Sequence, residues 1–89
     1  MNDFPFKEVL LGNNEYLREF SEDVDDHELD WHRDREDRIV EVIENKDWLF
    51  QSDNQLPILL EKKIFIPKET YHRVIKGNGK LIVKITKLQ

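Results

Sequence analysis

The stretch IFIPKETYHRVIKGNGKLIVKI, residues 64–85, decides the fold class of this chain. Apolar and polar residues alternate on both sides of a turn, and a period of two is typical of β-strands rather than helices. The turn, GNG at 77–79, contains Asn78-Gly79, a pair that predicts a type I′ β-hairpin between the flanking strands. A proline and a lone histidine, Pro67 and His72, stand inside this strand-forming region.

The same period runs through most of the remaining sequence, where segments rich in Ile, Val, Trp, Tyr and Phe alternate with short turn-forming links. No segment keeps a 3.6-residue period beyond a turn or two, so we expect little helix. Short strands at such close spacing indicate an all-β fold, an antiparallel β-barrel or jelly roll. The strands are predicted at 15–20, 28–34, 38–44, 48–53, 56–61, 64–67, 71–76 and 81–87.

The composition predicts one small folded domain spanning residues 1–89. Hydrophobic residues make up 38% of the chain and charged residues 37%, and there is no cysteine, which excludes disulfides and thiol chemistry. Neither Ser21 nor Ser52 has a local histidine partner, so nucleophilic catalysis has no support. The sequence has neither an apolar run long enough to span a bilayer nor the features of a secretory signal. We therefore expect a soluble cytoplasmic protein with no membrane partner.

The charge is distributed unevenly along the chain. Residues 1–60 carry 17 acidic and 6 basic side chains, whereas residues 61–89 carry 2 acidic and 8 basic ones. The C-terminal lysines fall at alternate strand positions, which favours cross-strand pairing with the acidic part of the chain. A chain with a net charge of −5 gains little from counterion release on a phosphate backbone, so no nucleic-acid partner is expected.

The acidic run SEDVDDHELD, residues 21–30, predicts an exposed loop. It does not fit a calcium-binding loop, because Asp23 at the first position places Glu28 at the sixth, where glycine is needed, and Asp34 at the twelfth, where glutamate is needed. His27, within this run, is interpreted as a surface histidine.

Two groups of residues carry a recognisable spacing. The segment HRDREDRIVEVIEN, residues 32–45, and the segment EKKIFIPKETYH, residues 61–72, resemble the first and second motifs of the cupin superfamily. The matching positions are His32, Asp34, Arg38 and Asn45 in the first motif, and Glu61, Pro67, Glu69 and His72 in the second. Both motifs align without a gap, and the resemblance covers about residues 15–87. It implies a small single-domain cupin.

The chain departs from the family pattern at five of these positions. Asn45, Glu61 and Glu69 stand where the family has glycines, and asparagine tolerates a positive φ better than glutamate does. Asp34 and Arg38 stand where the family has two metal ligands. By resemblance, His32, Asp34 and His72 are the candidate metal ligands of this chain.

The chemistry of these three residues suits one divalent transition metal. Two imidazoles and a carboxylate bind iron, manganese, nickel or zinc and leave coordination positions open. Side chains two residues apart on a strand project from the same face, as His32 and Asp34 would, and His72 must come from another strand. Enzymes that use iron and 2-oxoglutarate also have this pattern, but they usually carry further elements. Against a metal, Asp34 lies among Arg33, Arg35 and Arg38 and can instead be a salt-bridge partner.

A metal-free pocket is the alternative hypothesis. Arg38 and Gln51, with the two histidines, offer hydrogen bonds to a small polar ligand such as an acid or sugar. Trp48, Phe50 or Tyr71 can offer a ring face, but Gln51 has the opposite strand parity to Trp48 and Phe50, and we expect Gln51 to face inward. The sequence predicts a small-molecule ligand without identifying it, and it leaves open whether the chain is an enzyme, a ligand-binding protein or a structural one.

If His32 faces the pocket, strand parity places Leu29 and Trp31 on the outer face of the sheet. Large apolar groups there need a cover, which the resemblance to small cupins predicts to be a second copy in a homodimer. The alternative is a monomer that folds its N-terminal segment over this face, with Phe4, Phe6, Val9 and Leu10 as the cover.

Overall fold

The computed structural model describes residues 5–88, and Phe4 lies outside them. Eight strands and one short 3-10 helix, Asp26–Glu28, make up the described chain, which contains no α-helix. The strands are β1 Phe6–Gly12, β2 Glu15–Phe20, β3 Asp37–Glu44, β4 Leu49–Ser52, β5 Ile58–Leu59, β6 Lys63–Ile66, β7 His72–Ile75 and β8 Leu81–Leu88. No helix in residues 5–88 is long and apolar enough to cross a membrane.

The strands form two antiparallel sheets. The larger has the order β1-β2-β8-β3-β6 and the smaller the order β5-β4-β7. Both sheets contribute to one buried core, in which Trp48 and Leu81 are fully buried. The predicted all-β antiparallel jelly roll is therefore confirmed, although the two sheets pack as a sandwich and do not close into a barrel.

Register in the larger sheet decides which side chains face the smaller sheet. Phe20 on β2 pairs with Leu81 on β8, and Val40 on β3 pairs with Ile85 on β8 and with Ile64 on β6. Directly opposed residues share a face, so these side chains line the interior together. Arg38, two residues before Val40, lies on the same inner face.

The charge prediction is confirmed in the larger sheet. The basic strand β8 lies between the acidic strands β2 and β3, and the Lys84 ammonium is 3.5 Å from a Glu15 carboxylate oxygen and 3.8 Å from one of Glu41. These pairs are partly exposed, so each contributes at most about 1 kcal/mol.

One predicted strand, residues 28–34, does not form. The Asp25 side chain accepts a hydrogen bond from the His27 amide (3.0 Å) and caps the 3-10 helix, which draws the chain out of extended geometry. Only His32 pairs, in an isolated bridge with His72. Because strand parity does not apply here, the placement of Leu29 on the outer face is wrong: Leu29 packs against the core.

The predicted type I′ hairpin at Asn78-Gly79 is also wrong. The strands that it was expected to join, β7 and β8, belong to different sheets, and Gly79 has a positive φ (71°) whereas Asn78 does not. The Asp47 carboxylate accepts hydrogen bonds from the amide and side chain of Asn78, and Glu22 accepts one from the Gly79 amide. Hydrogen bonds from neighbouring loops thus hold this turn, which connects β7 of the smaller sheet to β8 of the larger one.

Gly77 must stay a glycine because a backbone lies against it. A Cβ at this position would stand 2.6 Å from the Asp47 carbonyl carbon and 2.7 Å from the Trp48 nitrogen. We expect Gly77→Ala to lower the free energy of unfolding by more than about 2 kcal/mol, since rigid main-chain atoms must move. Urea denaturation measures this.

Gly12→Ala is the matched control. Its Cβ would meet only a flexible Glu15 oxygen, at 3.8 Å, so its stability should stay within about 0.5 kcal/mol of the wild type. Equal stabilities of the two variants would contradict the close packing at Gly77.

Candidate metal centre

His72 begins strand β7 and is buried, with 5% of its surface exposed. Its backbone forms a reciprocal pair of hydrogen bonds with His32: the His32 amide donates to the His72 carbonyl (3.0 Å), and the His72 amide donates to the His32 carbonyl (2.9 Å). Residues that exchange both bonds in an antiparallel pair project their side chains to the same side. The two imidazole rings accordingly lie 4.3 Å apart, centroid to centroid.

Hydrogen bonds to backbone carbonyls fix the orientation of both rings. His72 Nδ1 is 2.8 Å from the Thr70 carbonyl oxygen, and His32 Nδ1 is 3.2 Å from the Asp30 carbonyl oxygen. A carbonyl oxygen can only accept, so Nδ1 carries the proton in each ring. In the neutral form, Nε2 then keeps its lone pair, which is the arrangement that metal-binding histidines usually have.

Asp34 supplies the third donor group. Its backbone carbonyl accepts a hydrogen bond from the Glu69 amide (2.7 Å), which ties this loop to the turn before β7. One carboxylate oxygen, Oδ1, lies 3.3 Å from the Arg38 guanidinium. The other, Oδ2, is buried and has no hydrogen-bond partner among the described residues. It lies 3.4 Å from His72 Nε2, close enough for an ion pair but without hydrogen-bond geometry.

Burial favours the neutral form of the His72 imidazole and so lowers its pKa below the usual 6.5, and the nearby His32 and Arg38 lower it further. The Thr70 hydrogen bond and the Asp34 charge act in the opposite direction and do not reverse the shift. At neutral pH a lone pair on His72 Nε2 therefore faces a lone pair on Asp34 Oδ2. A cation between them would satisfy both.

The structure brings the three predicted ligands together. One donor atom each from His32, Asp34 and His72 can be chosen so that all three lie within 4.8 Å of one another. The expectation that the two histidines face a shared space is met, because their rings are in contact rather than on opposite faces. These donors suit a divalent transition metal, which binds nitrogen and oxygen ligands at about 2.0–2.2 Å.

Arg38 lies beside the three donors with its charge largely balanced. The Arg38 guanidinium is 2.8 Å from a Glu36 carboxylate oxygen as well as 3.3 Å from Asp34. Although burial acts to raise the pKa of Glu36, the hydrogen bond and positive charge of Arg38 outweigh it and lower that pKa. Glu36 is thus ionised at neutral pH. Two carboxylates and one guanidinium leave a single negative charge, which suits a cation.

The three donor residues line a cavity of about 420 Å³, together with side chains from both sheets. Phe50, not Gln51, lines this cavity, and its ring centroid is 5.7 Å from that of His72. The Gln51 amide instead donates to the Gln55 carbonyl (3.0 Å) and accepts from Arg73 (3.0 Å). The prediction that Gln51 faces inward is wrong, because the apolar side chains of Phe50 on β4 and of Trp48 just before it are buried in the core. Trp31, expected on an outer face, also lines the cavity.

Sequence reasoning missed two kinds of residue at this site. Glu36 was available in the sequence, two residues before Arg38, but its pairing required the conformation of the segment before β3. Thr70 and Asp30 act through backbone carbonyls, which no side-chain pattern can indicate.

No protein-family model and no curated protein matches this sequence. Similar structures do exist. A cupin domain from Bordetella pertussis superposes with a TM-score of 0.63 and 13% identity, and the match covers 100% of this chain and 99% of that one. This chain has the cupin fold. The fold explains why the two motifs meet, since strand β7 and the segment before β3 are neighbours in it.

Two larger cupin-fold proteins are also similar. A DMSP lyase matches with a TM-score of 0.71 and 16% identity over 84% of this chain, and Fe(II) HppE with 0.66 and 10% over 93%. The present chain spans only 37% of the lyase chain and 48% of the HppE chain.

At the three positions where the cupin motifs have glycine, this chain has Asn45, Glu61 and Glu69, and the backbone is accommodated differently at each. Glu69 adopts the left-handed conformation (φ 60°) that a glycine would adopt freely, whereas beside Glu61 it is Lys62 that has a positive φ (58°). Asn45 instead uses its side chain, which donates to the Trp48 and Leu60 carbonyls and accepts from the Trp48 amide. The motif geometry therefore survives without its glycines.

The lowered pKa of His72 predicts how stability depends on pH without metal. Between that pKa and 6.5 the unfolded chain binds more protons than the folded one, so this contribution is complete above pH 6.5 and is lost as the pH falls. Urea denaturation in a chelating buffer should show a smaller free energy of unfolding at pH 5.5 than at pH 7.5. His72→Gln, which cannot titrate there, should reduce this difference, and an unchanged pH dependence in that variant would contradict the assignment.

Proposed function

We propose that this chain binds one divalent transition metal through His32 Nε2, the Asp34 carboxylate and His72 Nε2. The observation that carries the proposal is Asp34 Oδ2, which is buried, finds no hydrogen-bond partner within residues 5–88 and faces the His72 lone pair at 3.4 Å. A buried polar atom without a partner is costly, and coordination to a cation removes that cost. Iron, manganese, nickel and zinc all suit this donor set. The Fe(II) form of HppE, a protein of the same fold, supports iron.

The other residues of the site have supporting roles in this proposal. Three protein donors leave coordination positions open, where a bound metal supplies Lewis-acid chemistry to a small polar ligand. Arg38 holds one Asp34 oxygen so that the other points toward His72. The Thr70 and Asp30 carbonyls keep both Nε2 lone pairs free. The similarity to a DMSP lyase shows that this fold occurs in a lyase, but the residues here support ligand binding without assigning a reaction.

Metal-free ligand binding is the second candidate function. It is favoured by the contact between Arg38 and Asp34, because a guanidinium that engages a carboxylate competes with a metal for it. In that case Arg38 and the two histidines would bind a polar ligand directly. Metal occupancy discriminates the two candidates.

We also propose that the chain forms a homodimer through strand β1. β1 is an edge strand of the larger sheet, and three successive residues, Val9, Leu10 and Leu11, are 57%, 66% and 50% exposed. Successive strand residues point to opposite faces, so both faces of β1 carry uncovered apolar groups. An edge of this kind is stabilised by pairing with a second copy. Light scattering after gel filtration gives the molar mass, and a monomer at micromolar concentration would contradict this proposal.

Elemental analysis tests the metal proposal directly. Protein purified without a nickel column should contain roughly one equivalent of a transition metal, or take one up from solution. His72→Ala and His32→Ala should each weaken binding by more than about 100-fold, since changes in outer-shell partners alone typically cost 10–100-fold. Asp34→Asn should weaken it by less, because the amide oxygen remains a donor.

His27→Ala is the matched control, since His27 is exposed in the acidic loop. It should bind metal as the wild type does. Less than about a tenth of an equivalent in the wild type after metal addition, or equal affinity in the His27 and His72 variants, would exclude this metal site.

A further inference from the structure

The cavity beside the metal centre has two chemically different regions. Of the 21 described residues that line it, 14 are apolar, contributed mainly by both sheets and by the loop that carries His32. Those in the sheets include Phe20, Val40, Phe50, Val74, Val83 and Ile85. Charged and imidazole side chains make up the other seven, and four of these are the donors and Arg38. A ligand in this cavity therefore meets the polar groups of the metal centre and, over most of the remaining lining, hydrocarbon.

The volume of this cavity is that of a small-molecule site. The cavity is partly open to solvent, so a small molecule can enter it from outside. A cavity of about 420 Å³ within an 89-residue chain is far larger than a packing defect and lies in the range of small-molecule sites.

The charge balance limits the polar end of the ligand. Glu28 and Asp30, which also line the cavity, are exposed to solvent. Arg18, another lining residue, is paired with Glu8. At the donors themselves, Asp34 and Glu36 carry two negative charges and Arg38 one positive charge, so a divalent ion would bring this group to a single positive charge. A monoanionic group that enters the open coordination positions neutralises it. A neutral polar group would leave this charge uncompensated within apolar walls.

From these observations we propose that the ligand of this chain is an amphipathic monoanion, with a carboxylate-like head at the metal centre and a hydrocarbon body in the cavity. This deepens the proposed function and rests on it. It disfavours sugars and short polyhydroxylated acids, because their hydroxyl groups would be buried against apolar side chains without hydrogen-bond partners. The head group can be a carboxylate or another singly charged oxyanion.

A series of simple acids tests this inference with Co²⁺-loaded protein. Octanoate should bind at least about 100-fold more tightly than acetate, because each buried methylene adds about fourfold in affinity. Two controls should both bind more weakly than octanoate. Octan-1-ol has the hydrocarbon body without the charge, and gluconate has the charge on a polar body. The visible Co²⁺ spectrum reports the head group at the metal, and the fluorescence of Trp31, which lines the cavity, reports the body.

Two adjacent residues of β8 provide matched variants. Val83 lines the cavity, whereas Ile82 lies on the opposite face of the strand. Val83→Phe should reduce octanoate affinity at least tenfold without changing acetate or Co²⁺ binding, and Ile82→Phe should leave all three unchanged. If Val83→Phe does not fold, Val83→Leu makes the same comparison with a smaller change.

The outcomes separate this inference from the metal proposal. Co²⁺ titration without any acid tests the metal site alone. If Co²⁺ binds but acetate and octanoate bind equally, the hydrocarbon body is excluded and the metal site stands. If octan-1-ol binds as tightly as octanoate, the anionic head is excluded. Octanoate binding that is stronger than acetate binding and weakened in the Val83 variant supports the inference.

Discussion

The reciprocal backbone hydrogen bonds between His32 and His72 are the constraint on which the candidate site depends. They join a loop that is otherwise outside the sheets to strand β7, and they place two side chains from distant parts of the sequence on the same side. Asp34 follows His32 by two residues, so the same pair of bonds also brings its carboxylate to His72. Without this bridge nothing in the sheets would hold the His32 loop against β7, and the three donor side chains would not be brought together.

Much of the fold could be predicted because strand periodicity and turn residues are local signals. Strand β2 is predicted with its observed bounds, β3, β4, β6, β7 and β8 to within one residue at each end, and β5 to within two. Strand β1 was not predicted, although the apolar N-terminal segment was noted as a possible cover. The proximity of His32 and His72 could be predicted only from the spacing of the two cupin-like motifs. Periodicity does not indicate which distant segments pair.

The errors arose where a local cap or a tertiary contact overrides the alternating pattern. The capped 3-10 helix at residues 26–28 ends the regular alternation that placed Leu29 and Trp31 outside. Asn78-Gly79 has the composition of a hairpin turn, but Asp47 and Glu22 hold it in a connection between sheets. Gln51 and Phe50 differ in parity, and burial of the larger apolar ring decided the orientation of β4. The turn partners Asp47 and Glu22 are distant in sequence, whereas the Asp25 cap is a local contact that strand periodicity does not reveal.

The position of β8 has a consequence for how the chain folds. This strand is the last of the eight in sequence, yet it occupies the centre of the larger sheet, where Tyr16 pairs with Ile85, 69 positions later. Loops that close over such distances form slowly, so assembly of this sheet is delayed during synthesis on the ribosome. Until β8 arrives, β2 and β3 each present an unpaired edge that other chains can join. Leu81, Val83 and Ile85 of β8 line the cavity, so a nascent chain cannot complete this interior before β8 has been synthesised.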